Sequence, residues 1–373
     1  MSNTRFPHNS YSLTVIECDT KMSRDLPTNI IDSSHWIEHG LEIEKRLFGH
    51  DEMTAMTKVM RENAGYSDSL SWLRYHLEYE SSKEIKASAI IFSFFSEKRI
   101  VATWSMEYMQ QDENLEFGIP GLPVRPPIFL VGTLPGFQEK VMKAILSYCN
   151  EIARTLGKKE WTSEEVGPNS GTISQWQILA TRLGAKVEVG HELYIDLSMD
   201  FQAIRSNFRK SYKSLINLGM RTWNISILDT ENVQTWEEVK LLHLQVAGRQ
   251  TRSDETWAIQ LQEVSAGLSF VVLLRSSEGE LVGAAIFSHN LFEGTYFTGI
   301  YKRELFNLPL GHVVQLRAIE ELQRRGLRWY KLGDRGFLGS VMNPSEKEIS
   351  IGYFKEGFAT HVFPRYRLRH QIS

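Results

Sequence analysis

Cysteine is almost missing from this chain: only Cys18 and Cys149 occur among its 373 residues. Two cysteines supply neither a disulfide framework nor the four ligands of a typical structural zinc site. The histidines of the second half are also scattered, without carboxylates at the spacing of metal ligands, so we predict no metal site and no tightly bound cofactor. The scarcity of cysteine favours a reducing, cytoplasmic setting.

Long hydrophobic runs are missing as well. The longest apolar run covers residues 89–95, far short of the roughly 20 residues that a membrane-spanning helix needs. The first twenty residues are polar and lack the basic start and apolar core of an export signal. We therefore expect a soluble chain with no membrane span.

The chain has no large excess of charge of either sign. The formal net charge is −3 and the sequence pI is near 6.4, which argues against nucleic-acid binding through bulk charge but leaves room for a local basic patch or a tRNA-linked substrate. Phosphate-binding Walker loops, dinucleotide fingerprints and nucleophile elbows are also missing from the sequence. A hydrophobic content of 42% suits two domains, each with its own core.

What the chain does contain is one pattern that occurs twice. A Pro/Gly loop at 134–137 leads into an apolar-periodic helix, a short strand, a second helix and a last strand, and the loop at 308–312 starts the same series. Pro135 and Gly184 are 49 positions apart, and Pro309 and Gly357 are 48 apart. Element order and spacing therefore indicate a tandem duplication.

Periodicity predicts further elements before the first repeat. Alternation predicts a strand over 12–18 and a hairpin over 86–109 that turns at Ser96 to Lys98. Apolar residues three and four positions apart predict helices near 36–48 and 52–79. The first half closes near Leu197, so we expect domains over 1–197 and 198–373, packed against one another with a cleft between them.

The repeated unit resembles the closing half of the GCN5-related N-acetyltransferase (GNAT) fold. Two such units in one chain look like the Fem-type peptidyltransferases, and GLRWYKLGD followed by YFKEGF looks like the CelD-type acetyltransferase domain. The resemblance implies an α/β (α+β) fold of two tandem GNAT-like domains, each a mixed, mainly antiparallel sheet flanked by helices. It also implies an acyltransferase acting on an amine of an amino sugar or cell-envelope precursor, with the site in the second half.

The loop before the second repeat helix is the candidate donor site. The first free N–H groups of a helix favour an anion, and Gly311 lets a phosphate come close to the backbone. The donor-binding candidates are Leu310, Gly311, His312 and Val313.

The sequence leaves the donor open. The acyl-CoA form of this loop has Gln or Arg three residues before the first glycine and a second small residue after it, where this chain has Leu308 and Val313. Because the span 198–265 is too short for the helical arm of many Fem-type enzymes, we expect acyl-CoA as co-substrate. Aminoacyl-tRNA remains the alternative donor, and a GNAT-like scaffold that binds a ligand without catalysis remains the alternative function.

Two basic segments are candidates for binding the acceptor. In the polar segment 248–257, Arg249 and Arg252 can make forked contacts to a carboxylate or phosphate, and Trp257 can stack on a ring. The same segment also has the composition of a helix N-cap, with Trp257 in a core. Residues 201–218 predict one basic helix, stopped by Gly219, with four cations on one face. These are Arg205, Arg209, Lys210 and Lys213. The stretch FRKSYKSL resembles a basic stretch of Fem-type proteins, and Arg209 and Lys210 are the acceptor-binding candidates; a solvated face that binds no ligand is the alternative.

Three residues near the end of the second repeat are the catalytic candidates. In CelD-type domains a polar strand end and a Tyr-Lys motif lie beside the acyl donor, and Asp334, Tyr353 and Lys355 stand in comparable places. Chemically, Asp334 can accept the proton of the amine, Lys355 can neutralise an oxyanion or phosphate, and Tyr353 can donate to the leaving group.

Overall fold

The computed structural model describes residues 34–47, 70–81, 86–111, 114–118, 123–165 and 173–372. The predicted strand over 12–18, and most of the helix predicted over 52–79, lie outside these residues. The helices that it describes are α1 (Ser34–Glu38), α2 (Leu70–Ser81), α3 (Pro135–Thr155), α4 (Gln175–Arg182), α5 (Phe201–Asn207), α6 (Lys210–Thr222), α7 (Val233–Ala247), α8 (Asp254–Ser265), α9 (Leu310–Arg324) and α10 (Glu346–Glu356). The strands are β1 (Glu42–Leu47), β2 (Lys86–Ser96), β3 (Arg99–Gln111), β4 (Asn114–Phe117), β5 (Ile128–Phe129), β6 (Glu160–Glu165), β7 (Lys186–Asp196), β8 (Asn224–Leu228), β9 (Ser269–Arg275), β10 (Leu281–His289), β11 (Glu293–Tyr301), β12 (Trp329–Asp334) and β13 (His361–Gln371).

The first sheet is antiparallel, in the order β1-β2-β3-β4, and β5 also pairs with β3. The predicted hairpin is confirmed, because β2 and β3 turn at Glu97 and Lys98, both with positive φ. The helix predicted over 36–48 is wrong beyond Glu38: residues 42–47 pair with β2 as a strand. Pairing with a buried neighbour overrides the weak helical periodicity of this segment.

The second sheet joins the two repeats through exchanged strands. Its order is β6-β13-β7-β12-β11-β10-β9-β8, so the last strand of the second repeat lies between two strands of the first. Conversely, β7 of the first repeat pairs with β12 of the second. The sheet therefore runs across the sequence position predicted as the domain boundary, and each repeat completes the other.

Buried ion pairs fix this exchange. The carboxylate of Glu164 on β6 is 3% exposed and accepts hydrogen bonds from Arg365 and Arg367 on β13. Lys331 on β12 lies 2.9 Å from the buried carboxylate of Glu192 on β7. Charges buried in this way need close partners, and these pairs hold each strand to a neighbour from the other half.

The basic segment after β7 is two helices rather than the one predicted. Helix α5 ends at Asn207, the backbone is extended at Phe208 and Arg209, and α6 continues through Gly219 to Thr222. The four predicted cations therefore do not share one helix: Arg205 is on α5, Arg209 is in the break, and Lys210 and Lys213 are on α6. Gly219 does not stop α6; it allows close packing on α9, since a Cβ there would lie 2.1 Å from Val313 Cγ2.

Candidate active site

The parallel pairing of β11 and β12 is short, and β11 continues beyond it to Tyr301. The ladder covers only Glu293 to Thr295 on β11. On the other side of β11, Tyr296 faces Phe287 and Thr298 faces Ile286, so Phe297 is an extra residue in a β-bulge. A bulge re-aims the side chains around it, and here Tyr296, Phe297 and Thr298 line one cavity together.

The side chain of Lys355 on α10 contacts the Tyr296 ring of β11. Its Nζ lies 5.4 Å from the centroid of the Tyr296 ring, and no described residue accepts a hydrogen bond from it. Burial lowers the pKa of Lys355 to about 8; the charge of Asp334 raises it and that of Lys331 lowers it further. A Cβ on Gly333 would lie 2.8 Å from Nζ, so a glycine at this position leaves room for the ammonium group.

The other two catalytic candidates have different surroundings. Asp334 is largely exposed and accepts two hydrogen bonds of 2.9 Å from Nη1 of Arg365. The exposed ring of Tyr353 stacks on Arg209, with the guanidinium carbon 3.8 Å from the ring centroid. Residues two apart on a helix point in different directions, so Tyr353 does not join Lys355. The role of Tyr353 stays a prediction that this geometry does not support.

A cavity of about 310 Å³ lies between α2 of the first half and the second half. Its walls are mostly aromatic and come from α2, α7, the loop before α8, and β11. The lining residues are Trp72, Tyr75, His76, Tyr79, His243, Thr251, Arg252, Tyr296, Phe297 and Thr298. Tyr296 is among the lining residues, but its ring, on which Lys355 lies, packs with Phe287, whereas Phe297 packs with the core cluster of Trp257.

Arg252 brings a permanent positive charge into this lining. Its side chain is 6% exposed, and its Nη1 donates to Tyr75 Oη at 3.1 Å and to Gln260 Oε1 at 2.7 Å. Its guanidinium carbon lies 3.5 Å from the centroid of the Trp257 ring. Trp257 itself is core, 4% exposed, and lies behind Arg252 rather than in the cavity lining. Arg249 is exposed and outside the lining.

The segment before α8 also acts as the predicted cap. Ser253 Oγ accepts a hydrogen bond from the backbone N–H of Thr256, and Gly248 ends α7 in the left-handed region. Capping and the buried arginine therefore occur in the same ten residues.

The first turn of α9, the predicted donor loop, is covered by side chains. Leu310 and Val313 are 3% and 0% exposed. A Cβ on Gly311 would lie 3.0 Å from Cζ of Phe354, and the His312 ring packs edge-on against Phe354 and Tyr212. Donor binding at these residues stays a prediction, and a phosphate at Gly311 would have to displace the Phe354 ring.

The two cations predicted to bind the acceptor at 209 and 210 lie away from the cavity lining. Arg209 donates to Tyr212 Oη at 2.9 Å and to the backbone carbonyl of Tyr353 at 2.9 Å, which ties α6 to α10. Lys210 is exposed. Their predicted role is therefore untested, and Arg209 has a structural one.

Sequence reasoning missed the aromatic face of α2. Trp72, Tyr75, His76 and Tyr79 recur at helical spacing and so share one face. The spacing was readable in the sequence, but it is equally typical of a core helix, and nothing local shows that the face lines a cavity in the other half.

Solved structures with the same arrangement show the fold. FemX is similar over 88% of this chain and 97% of its own, with 12% identity and a TM-score of 0.61. The chain has a GNAT-like fold. The C-terminal domain of a putative lysylphosphatidylglycerol synthetase from Agrobacterium fabrum has a TM-score of 0.57 and 14% identity, over 85% of this chain and 90% of its own. L-PGS from Bacillus licheniformis has a TM-score of 0.53 and 12% identity, over 83% and 89%.

These likenesses confirm the predicted fold class and the resemblance in fold to Fem-type proteins. At such low identity they concern the fold. No family model matches the chain, and no curated protein matches it.

Neither a candidate metal site nor a candidate membrane-spanning helix is found among the described residues. In the part of the chain that the structure describes, no three His, Cys, Asp or Glu residues come together in a way that could hold a metal ion. Among the same residues, no helix combines the length and the apolar character needed to cross a membrane.

Proposed function

We propose that this protein transfers an activated acyl group onto an amine, with the reaction beside Lys355, where β11 continues beyond its pairing with β12. The observation that carries this proposal is Lys355, which reaches the ring of Tyr296 and has no hydrogen-bond acceptor among the described residues. A lysine with a pKa of about 8 is suited to proton transfer near neutral pH. The GNAT-like fold supports the same class of reaction.

In the proposed reaction the acceptor amine attacks the acyl carbon and neutral Lys355 takes the proton that the amine loses. A C–N bond forms, and the C–O or C–S bond to the donor breaks. The resulting ammonium group then stabilises the developing oxyanion and returns the proton to the leaving group. Asp334 is a poorer base for this step, because both of its oxygens are held by Arg365.

The geometry favours aminoacyl-tRNA, the alternative donor, over acyl-CoA. A pyrophosphate bound at the start of α9 would need the space that Phe354 occupies beside Gly311. A donor whose carrier lies outside this loop avoids that conflict, and the Fem-type resemblance implies an aminoacyl ester. The similarity in fold to FemX supports this choice.

The test compares the two donor classes directly. The purified protein is incubated with radiolabelled acetyl-CoA or with tRNA carrying radiolabelled amino acids, and a protein-free small-molecule extract supplies the amines. New N-acylated products are followed by chromatography and mass spectrometry. Lys355→Met should lower transfer by about 100-fold or more, as expected for loss of a general base. Lys347→Met, an exposed lysine on the same helix, is the matched control.

Transfer from tRNA that survives Lys347→Met and is lost in Lys355→Met supports the proposal. Transfer from acetyl-CoA alone would overturn the choice of donor while keeping the reaction class. The proposed function fails if neither donor yields a product, or if Lys355→Met is as active as the wild type.

A further inference from the structure

We propose that the cavity at Arg252 binds a carboxylate carried on a flat apolar group, and that this is the acceptor of the reaction. The assignment of the ligand as acceptor rests on the proposed function; the binding of a carboxylate does not. An acceptor of this kind is an amine that also has a carboxylate, as an aromatic amino acid has.

Arg252 uses only one of its three guanidinium nitrogen atoms in hydrogen bonds to described residues. Nη1 is used by Tyr75 and Gln260, whereas Nε and Nη2 are buried and have no hydrogen-bond partner among the described residues. Nε and Nη2 form one edge of the guanidinium group, the edge that binds a carboxylate through two parallel hydrogen bonds. Leaving buried donors without hydrogen-bond partners destabilises the fold.

The charge of Arg252 is not balanced by any residue in the cavity lining, because the described lining contains no carboxylate. Burial lowers the pKa of Arg252, which is the direction expected for a cation without an adjacent anion. Burial and the charge of Arg252 lower the pKa of His243 to about 4, so this neighbour stays neutral at physiological pH. An anion entering the cavity therefore meets the positive charge of Arg252.

The rest of the lining suits a flat ring. Tyr75 and Phe297 meet edge to face with centroids 4.7 Å apart, and Trp72 meets Phe297 at 5.7 Å. Aromatic side chains in such contacts pack well against another ring. The volume of about 310 Å³ is at the low end for small-molecule sites. Since Nε and Nη2 have no exposed surface, the ligand must shift a lining side chain to reach them.

The position of the cavity connects the carboxylate to the reaction. Tyr296 lines the cavity and also carries Lys355 over its ring. A ligand held at Arg252 by its carboxylate therefore lies on the strand that leads to the proposed base. This places the acceptor side of the site between α2 of the first half and β11 of the second.

The test is calorimetric binding of two probes of nearly equal shape, phenylacetate and phenylacetamide, with L-phenylalanine as a third. We expect phenylacetate to bind at least about tenfold more tightly than phenylacetamide, because only the carboxylate makes charge-assisted hydrogen bonds. Arg252→Met should remove this preference. Arg252→Lys keeps the charge but loses the two-point contact, and should weaken phenylacetate binding by about tenfold. Arg221→Met, which removes an exposed arginine of α6, should leave the preference for phenylacetate unchanged.

A second variant protects the test against misfolding of the Arg252 variants. Thr298→Trp fills the cavity from β11 and leaves Arg252 in place, so it should abolish binding of both aromatic probes while circular dichroism stays that of the wild type. Phenylacetate that does not bind the wild type, or that binds with the same preference after Arg252→Met, would overturn the inference.

The same experiment separates this inference from the proposed function. Lys355→Met should bind phenylacetate as the wild type does, because Lys355 does not line the cavity. Carboxylate binding in a protein without transfer activity would leave the inference standing and the proposed function refuted. Transfer activity without carboxylate selectivity would refute the inference and leave the proposed function standing.

Discussion

Lys355 Nζ lies 5.4 Å from the centroid of the Tyr296 ring, and this contact joins α10 to β11. Tyr296 belongs to a β-bulge on β11, whereas Lys355 follows more than fifty residues later in the chain. An ammonium group over an aromatic face is stabilised without a carboxylate. Burial nevertheless lowers its pKa to about 8, which makes the group able to exchange a proton near neutral pH.

The rate of acyl transfer should rise with pH and level off above about 8. The proposed base is neutral Lys355, so the ascending limb follows its pKa. The charged groups that set this pKa together with burial are Asp334 and Lys331. Lys355→Arg keeps the positive charge but cannot release a proton. This substitution should therefore abolish most of the activity and remove the ascending limb of the pH–rate profile. If Lys355→Arg is active, Lys355 is not the base and acts only by stabilising negative charge.

Lys355→Met should make the protein more stable at pH 7 while it loses activity. The folded pKa of Lys355 is lowered from 10.5 to about 8, so the buried ammonium group destabilises the fold below pH 8. This penalty disappears as the pH rises from about 8 to 10.5. Urea unfolding should give a gain of about 1–2 kcal/mol at pH 7, after allowance for partial exposure. The prediction is contradicted if Lys355→Met gains no free energy of unfolding at pH 7, or if it gains as much at pH 10 as at pH 7.

Glu164→Gln should destabilise the exchanged strands far more than Glu160→Gln. Both side chains are on β6 and pair with arginines of β13, but Glu164 is 3% exposed and Glu160 is an exposed partner of Arg369. Breaking a buried pair costs about 3 kcal/mol or more, whereas an exposed pair is screened by solvent and contributes little. Denaturant unfolding of the two variants measures the difference directly.

The loss in free energy of unfolding caused by Glu164→Gln should be smaller at acid pH than at pH 7. Burial raises the pKa of Glu164, but Arg365 and Arg367 outweigh it, so the pKa is lowered from 4.5. The stabilisation is therefore present above pH 4.5 and is lost as the pH falls through the lower, folded-state pKa. Equal costs at pH 7 and in strong acid would argue that the side chain acts through packing alone.

The substitutions Gly219→Ala and Gly136→Ala should have different effects on the stability of the fold, either opposite in sign or different in size. A methyl group at 219 would lie 2.1 Å from Val313 Cγ2 and 3.0 Å from the carbonyl oxygen of Pro309, so α6 and α9 must move apart. Overpacking of this kind costs about 1–3 kcal/mol. At 136, in the first turn of α3, nothing among the described residues lies within 4 Å of the added atom, and alanine is the better helix former. Thermal unfolding of both variants checks the contrast.

How far the sequence predicts the site depends on the residue. The sequence singled out Arg252, because arginines stand out in the polar segment 248–257, and the resemblance to CelD-type domains singled out Lys355. It grouped Lys355 with Tyr353, which the helix turns toward Arg209 instead. It also treated Trp257 as a wall for a ligand, although the ring packs behind Arg252 in the core.

The sequence by itself determined the duplicated unit, the hairpin of β2 and β3 and the cap at Ser253, because these depend on periodicity and on residues a few positions apart. The GNAT-like fold class followed from the resemblance to known families. Only the tertiary structure decided that β7 and β13 exchange between the repeats, that Phe354 covers Gly311, and that α2 closes a cavity over Arg252. These features depend on contacts between residues far apart in the chain, where burial, charge and packing are set by neighbours that no local pattern contains.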